Sequence, residues 1–308
     1  MAYYNATRII RLTRIALGLT QEKLSENICD VENYSRLETG RYSLRRSMYQ
    51  KIMEKMGRIS DRRYVVCVSK DGMLLEEKVE LERAFKRYDY EAAEKYLQIL
   101  KEKSDDNLLT RQYLVRAEAL VEYRRGHITA GELAEKLEAA LRMTTPEYEE
   151  YLLKKALFPF FKSELLLMLN IANARRKNKE VDKSIKLYQK ILECIEACYL
   201  GEPNRTTIEV TVRNNLSMAY EIKKMYHEAY GELDKCLELA VKYDYGHLMA
   251  TLLSSKASII IDMIEADMIE EEYIEEAKIL SQQAYCIAVA RGDKRASDSI
   301  EMFYKTYF

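Results

Sequence analysis

The sequence is poor in residues that break a helix. Its 308 residues include no tryptophan, 3 prolines and 10 glycines. That is too few to punctuate the many short strands of a sandwich or barrel, so an almost wholly helical chain is expected. Histidine is scarce, with only His127, His227 and His247 scattered singly, and the 6 cysteines, Cys29, Cys67, Cys194, Cys198, Cys236 and Cys286, contain no CxxC pair. This usage argues against a zinc motif and a disulfide framework. With no signal peptide read at the front, it points to free thiols in a reducing cytoplasm, as small buried hydrophobes. No apolar run approaches the about 18 residues that a membrane span needs. A glycine-rich phosphate loop, an HExxH pair and a nucleophile–base arrangement are all missing, so neither cofactor, metal nor enzymatic chemistry is expected.

What the chain does contain is Leu, Ile, Ala, Glu, Lys and 24 tyrosines. Most of the tyrosines recur at helical spacing, which favours core rings with a wet hydroxyl. The length allows two domains or one long repeat array. Charge divides unevenly: residues 1–58 carry 11 Lys/Arg against 6 Asp/Glu, a net +5, within a whole chain of net −1. Contact with a polyanion, if made, therefore belongs to the front of the chain.

At that front, Ile9, Ile10, Leu12, Ile15, Ala16 and Leu17 recur at helical spacing, and Gly18 stops the helix. Thr20 is placed to cap a second helix through the amides of residues 21–23, with Leu24 facing inward. Residues 27–29 form a break, Asp30 caps a third helix running to about Glu38, and Thr39-Gly40 ends it. Three short helices with a tight turn between the second and third describe a helix-turn-helix, whose third helix can enter the major groove of DNA. In that geometry Gln21 sits at the positive end of the second helix, and Arg11, Arg14, Arg41 and Arg45 line a rim suited to phosphates. Val31, Glu32, Asn33 and Arg36 project toward base edges, with Asn33 matched to adenine and Arg36 to guanine or phosphate, while Tyr34 and Leu37 pack inward. Asp30 and Glu32 place two carboxylates at the start of this reading helix.

Arg11-x2-Arg14, Gly18-Leu19-Thr20-Gln21-Glu22-x-Leu24 and Ser35-Arg36-Leu37-Glu38-x-Gly40 resemble the Xre/Cro-like helix-turn-helix family over about sixty residues. The stretch from Glu26 into Ser35-Arg36 looks like the variant found in Rgg- and PlcR-type peptide-sensing regulators, and with the repeats described below the chain resembles the Rgg, PlcR, NprR and Rap group.

Residues 59–74 read as a linker with one extended run, Tyr64–Val68. Beyond it a pattern returns five times: Ala93-x3-Leu97-x2-Leu100, Leu133-x3-Leu137-x2-Ala140-Leu141, Ser184-x3-Tyr188-x2-Ile191-Leu192, Ala229-x3-Leu233-x2-Cys236-Leu237 and Ala277-x3-Ser281-x2-Ala284-Tyr285. Self-similarity of this kind marks a helical solenoid whose two-helix units bury themselves against their neighbours. The unit from Asn215 to Leu237, with small Ser217 opposite Ala229 and with Tyr220 and Tyr226 as fillers, resembles a tetratricopeptide repeat. The period is longer than the usual about 34 residues, which leaves HEAT-like pairs as the weaker alternative. The expected architecture is all-α: a helix-turn-helix over 1–58, then a right-handed tetratricopeptide-like solenoid over 75–308. Asp262–Glu276 are expected to form a solvated helix pair, and the apolar end Met302–Phe308 a cap or a contact with a second subunit.

Overlaid on the repeat, Asn170 and Asn173 fall on the concave face in one unit, and Asn214, Asn215 and Met218 in the next. An asparagine amide offers both a donor and an acceptor to a peptide bond, whatever side chains that peptide carries. The resemblance to the peptide-sensing regulators implies that such asparagines hold a short signalling peptide; Arg116 and Lys256 are candidates for its carboxylate. It also implies a cytoplasmic homodimeric regulator of double-stranded DNA at an inverted-repeat operator. The rival reading is an interaction protein whose repeats bind a response regulator or another protein while the head does not read DNA.

Overall fold

The computed structural model describes residues 6–58, 74–87, 89–153, 157–197 and 204–308. The expected linker apart from Leu74, its extended run Tyr64–Val68, Cys67 and Cys198 lie outside the described residues. Among those described there is no strand. Internal packing divides the chain into Met1–Gly201 and Glu202–Phe308.

The first unit opens with four short helices, α1 (Ala6–Ala16), α2 (Gln21–Ser25), α3 (Val31–Glu38) and α4 (Arg46–Lys55). Gly18 adopts φ +66°, the left-handed conformation that glycine takes without a Cβ penalty, and α1 stops just before it. Thr20 Oγ1 accepts from the amide of Lys23 at 3.2 Å and starts α2 as its cap. Asp30 occupies the corresponding position before α3 but does not bond the backbone; its Oδ2 accepts from Asn33 Nδ2 at 2.8 Å instead. Ile10, Leu24, Tyr34, Leu37, Tyr49, Ile52 and Met53 close the core of the head. Ile15, one of the apolar positions of α1, is exposed.

The same unit continues through α5 (Leu75–Arg87), α6 (Tyr90–Lys103), α7 (Leu108–Arg124), α8 (Ala130–Arg142), α9 (Tyr148–Leu153), α10 (Lys162–Lys177) and α11 (Val181–Ala197). The head is joined to these helices by a buried node. Arg58 Nη1 donates to Glu164 Oε1 at 3.1 Å, to the Thr144 carbonyl at 3.1 Å and to Thr145 Oγ1 at 2.8 Å, while Nη2 donates to Glu164 Oε2 at 3.0 Å. Its guanidinium lies over the rings of Phe158 and Phe161, and Phe161 also enters the core of the head. Glu164 further accepts from the hydroxyls of Thr144 and Thr145 and from the amide of Phe161, each at 2.7 Å. Burial alone pushes its carboxyl upward, but the Arg58 charge and these hydrogen bonds outweigh burial and hold it below the ordinary value.

The second unit holds α12 (Asn204–Ile222), α13 (Tyr226–Lys242), α14 (Met249–Glu265), α15 (Ile274–Ala290) and α16 (Lys294–Tyr307). In both units successive helices pack on one another: α5 through α8 in order, then α8, α10 and α11, and α12 through α16 in order. The recurrent pattern read from the sequence falls on α6, α8, α11, α13 and α15. Its leading positions, among them Ala93, Leu97, Leu137, Tyr188, Leu233, Cys236, Ser281 and Ala284, are all buried. A small or apolar residue every third or fourth place is what lets these helices seat against both neighbours. Asp262–Glu276 do not form a helix pair: α14 ends at Glu265, Asp267 turns at φ +53°, and α15 begins at Ile274. Of the acids in this stretch, Asp267, Glu270, Glu271 and Glu272 sit exposed in the connection, while Asp262 and Glu265 belong to α14 and Glu275 and Glu276 to α15. At the chain's end Phe303 and Phe308 pack on the α14–α15 pair, whereas Met302 stays exposed.

Candidate nucleic-acid interface and repeat-face site

Helix α3 owes its presentation to its two faces. Tyr34 and Leu37 are fully buried beneath it, while Val31, Glu32 and Arg36 are exposed above. Burial raises the Tyr34 phenol, with the Glu38 charge adding to it, so the ring sits as a neutral strut. The underside is pinned by Glu38, which accepts from Arg14 Nε at 2.6 Å, from Arg14 Nη2 at 2.9 Å and from Gln21 Nε2 at 2.7 Å. Arg14 Nη1 also donates to the carbonyl of Leu19. The hydrogen bond to Glu38, chiefly, raises the Arg14 pKa.

The structure therefore separates the expected DNA-facing residues into two groups. Arg14 and Gln21 point into the head and fix the angle between α1, α2 and α3. Arg11, Arg41 and Arg45 are exposed around the rim, as are Arg8 and Arg46. Thr20 is committed to its cap, as described. On α3 itself Arg36 faces Glu32 one turn back at 4.0 Å, and Asn33 leans on Asp30. Both candidate base readers thus rest against carboxylates of their own segment, in contacts that water weakens.

On the repeat face, α10 carries Asn170 and Asn173, both half-buried. Arg116 on α7 donates from Nε to Asn170 Oδ1 at 2.8 Å and reaches Glu82 at 3.3 Å. The Tyr188 hydroxyl on α11 donates to Asn173 Oδ1 at 2.6 Å. In the second unit Asn215 Nδ2 donates to the Thr211 carbonyl of its own helix, Met218 is half-buried, and Asn214 Oδ1 is buried without a hydrogen-bond partner among the described residues. The expected row is thus divided between the two units. Lys256 Nζ pairs with Asp234 at 2.7 Å and lies over the Tyr230 ring, so it and Arg116, the two expected carboxylate holders, both have internal acidic partners.

Sequence reasoning missed Glu38, Arg58, Gln112, Glu164 and Tyr188. Gln112 is buried on α7, where its Nε2 donates to the Ala140 carbonyl and to Thr144 Oγ1. Glu38 stood inside the motif Ser35–Gly40 and was readable as more than a helix end. The others are set by contacts between distant segments and carry no local signal. Among the described residues no group of His, Cys, Asp and Glu is arranged for a metal ion, and no helix is long and apolar enough to cross a membrane.

A helix-turn-helix head followed by antiparallel helix pairs is a fold with solved counterparts. The chain is similar to PlcR of Bacillus thuringiensis in complex with the peptide PapR7 and DNA, with a TM-score of 0.61 at 21% identity over 96% of this chain and 99% of that one. The apo form of PlcR gives 0.60 at 17% over 94% and 97%. ComR from S. thermophilus, in complex with DNA and its signalling peptide ComS, gives 0.54 at 15% over 98% and 99%. These likenesses establish the fold. No family model and no curated protein matches the sequence.

Proposed function

We propose that this chain is a transcription regulator whose head reads double-stranded DNA and whose repeat domain answers to a short linear peptide. The observation that carries the reading is α3: one face locked by Tyr34, Leu37 and Glu38, the other offering Val31, Glu32 and Arg36 within a rim of exposed arginines. A helix presented in this way enters a major groove without rearranging its own core. Support comes from the solved counterparts, since the PlcR structure holds both a peptide and DNA, and so does that of ComR. The regulator acts as a homodimer on an inverted repeat, whose half-sites lie about 34–36 Å apart per helical turn.

Peptide binding is proposed to act through α10. Asn170 is half-buried on this helix, and Glu164, six residues earlier on it, holds Arg58 at the base of the head. A shift of α10 is therefore felt at the head, and it is allosteric insofar as the peptide prefers one of the two arrangements.

The test is selection of bound fragments from a random DNA pool by the purified protein, at low and at moderate salt. Recovery of an inverted repeat, lost on Arg36→Ala, is expected, with affinity falling steeply as salt rises. No enrichment at either salt, with or without a cell-derived peptide extract, moves the assignment to an interaction protein.

A further inference from the structure

Glutamine is mostly a surface residue, yet Gln112 on α7 is only 1% exposed. Both hydrogens of its amide are engaged inside the fold: Nε2 donates to the Ala140 carbonyl of α8 at 3.0 Å and to Thr144 Oγ1, just beyond α8, at 2.8 Å. The other end of the amide, Oε1, is buried without a hydrogen-bond partner among the described residues. A buried acceptor left unmet is destabilising, and a methionine of similar size would avoid it. Stability alone therefore does not account for this glutamine.

What the amide does is orient Thr144. A hydroxyl has one hydrogen to give, and Thr144 Oγ1 has two acceptors in reach, Glu164 Oε1 at 2.7 Å and the Leu141 carbonyl at 3.5 Å. With Gln112 Nε2 donating into the hydroxyl oxygen, that hydrogen goes to Glu164. Glu164 in turn holds Arg58 at the end of the head. Gln112, Thr144, Glu164 and Arg58 thus form one chain of hydrogen bonds that runs from α7, past the end of α8, to α10 and the head. Every donor in it points toward the carboxylate. The amide is also dispensable to the groups it touches, since the Ala140 carbonyl still accepts from the amide of Met143 at 3.3 Å and Thr144 keeps Glu164. Its removal strands no buried partner.

We propose that Gln112 is a positioning residue that ties the seating of the head to α7, so that the head answers to movement of α7 as well as of α10. The inference rests on the reading of a DNA-binding head governed by the repeat domain, and adds a second input to it. Because α7 packs on both α6 and α8, a ligand that shifts the first repeats reaches Arg58 without touching α10. The same tie holds each head in one orientation, and with it the spacing of the two heads in a dimer.

The test uses the full chain and the inverted repeat recovered from the random pool, remade with a single base pair added to or removed from its centre. Such a change turns one half-site against the other by about a tenth of a helical turn, so a fixed head discriminates and a loosened one does not. Gln112→Met is expected to lower the ratio of affinities for preferred over altered spacing severalfold in fluorescence anisotropy, while affinity for an isolated half-site is unchanged and the urea midpoint is no lower than the parent's. Thr144→Val is expected to lose the same discrimination, and Thr144→Ser, which restores the hydroxyl, to recover it. Discrimination by Gln112→Met equal to the parent's overturns the proposal, as does a parent indifferent to spacing. A loss that comes only with a lower urea midpoint assigns Gln112 to packing and overturns it as well. A parent that selects no DNA fails the reading of the head, and the tie to α7 is then decided without DNA by hydrogen exchange, which reports local opening. Faster exchange at residues 46–58 and 157–165 in Gln112→Met, with residues 204–308 unchanged, upholds the tie; unchanged exchange there overturns it.

Discussion

On the reading helix, Arg36 meets Glu32 at 4.0 Å in the open, with the two side chains 61% and 83% exposed. At the joint beneath the head, Arg58 meets Glu164 at 3.0 Å with 4% and 0% exposed. Both are arginine–glutamate pairs, yet only the second has been taken out of water. The exposed pair holds its arginine by a few tenths of a kcal/mol, about the 0.3–0.5 typical of such helix pairs, so a phosphate or a guanine edge can replace the glutamate almost freely. The buried pair is different. Its two ions are desolvated, and each depends on the other and on Thr144, Thr145 and Phe161 for compensation, so the loss of either strands a charge. Surface pairs of this kind are dispensable and exchangeable; interior ones decide how segments are held.

The comparison is sharpened first at its buried end. Glu164→Ala is expected to destabilise the first unit by about 3–5 kcal/mol, read as a fall in the urea midpoint, because it leaves the Arg58 guanidinium buried and unpaired. The acid limb supplies an independent reading. The Glu164 carboxyl is held below its ordinary value of 4.5, so its contribution is fully present above that value and is lost as pH falls through the folded value. Urea midpoints of the parent are therefore expected to drop on acidification from pH 7 to pH 3. Glu164→Gln should begin lower and fall less; an identical acid slope would show that another carboxylate governs it.

Next in size is the ion pair within the head. Glu38→Ala removes the acceptor shared by Arg14 and Gln21 and is expected to cost about 1.5–3 kcal/mol, in line with hydrogen bonds to charged groups. The unfolding midpoint of the head, followed by tyrosine fluorescence, checks this, and an unchanged midpoint would mean that water replaces Glu38 without loss.

At the exposed end the order of effects reverses. Arg36→Ala should leave stability within about 0.5 kcal/mol, as for most surface changes, while operator affinity falls by about 1–3 kcal/mol if the arginine reads a guanine. Smallest of all, Glu32→Gln frees Arg36 and removes one carboxylate facing the phosphates. A roughly twofold rise in DNA affinity by fluorescence anisotropy is expected, consistent with the few tenths of a kcal/mol an exposed pair supplies. A fall instead would assign Glu32 to a base contact, such as a cytosine amino group.

Much of the head was legible in the residues themselves. Gly18 and Thr20 act within one turn of their own position, and both do in the structure what their chemistry suggests. The burial of Tyr34 and Leu37 follows from helical spacing alone. Asp30 shows the boundary of that logic: a capping residue by type and position, it is drawn off by Asn33, a competitor that a preference scale does not weigh. On the repeat face the asparagines could be placed on their helix from the repeat pattern. The direction each amide faces could not, since it depends on Arg116, 54 residues from Asn170, and on Tyr188, 15 residues from Asn173.

The sequence by itself determined that this chain is helical, where its head ends its first helices and which residues of each repeat turn inward, because propensity, capping and periodicity act over a few residues. The tertiary structure alone decided that Arg58, 106 residues from Glu164, fastens the head to α10, that Arg14 serves the core of the head instead of its rim, and that Asn170 and Asn173 pair with Arg116 and Tyr188. Each of these is a choice of partner for a polar group removed from water. Such a choice is made only when distant segments are packed together and every competing donor and acceptor has been placed.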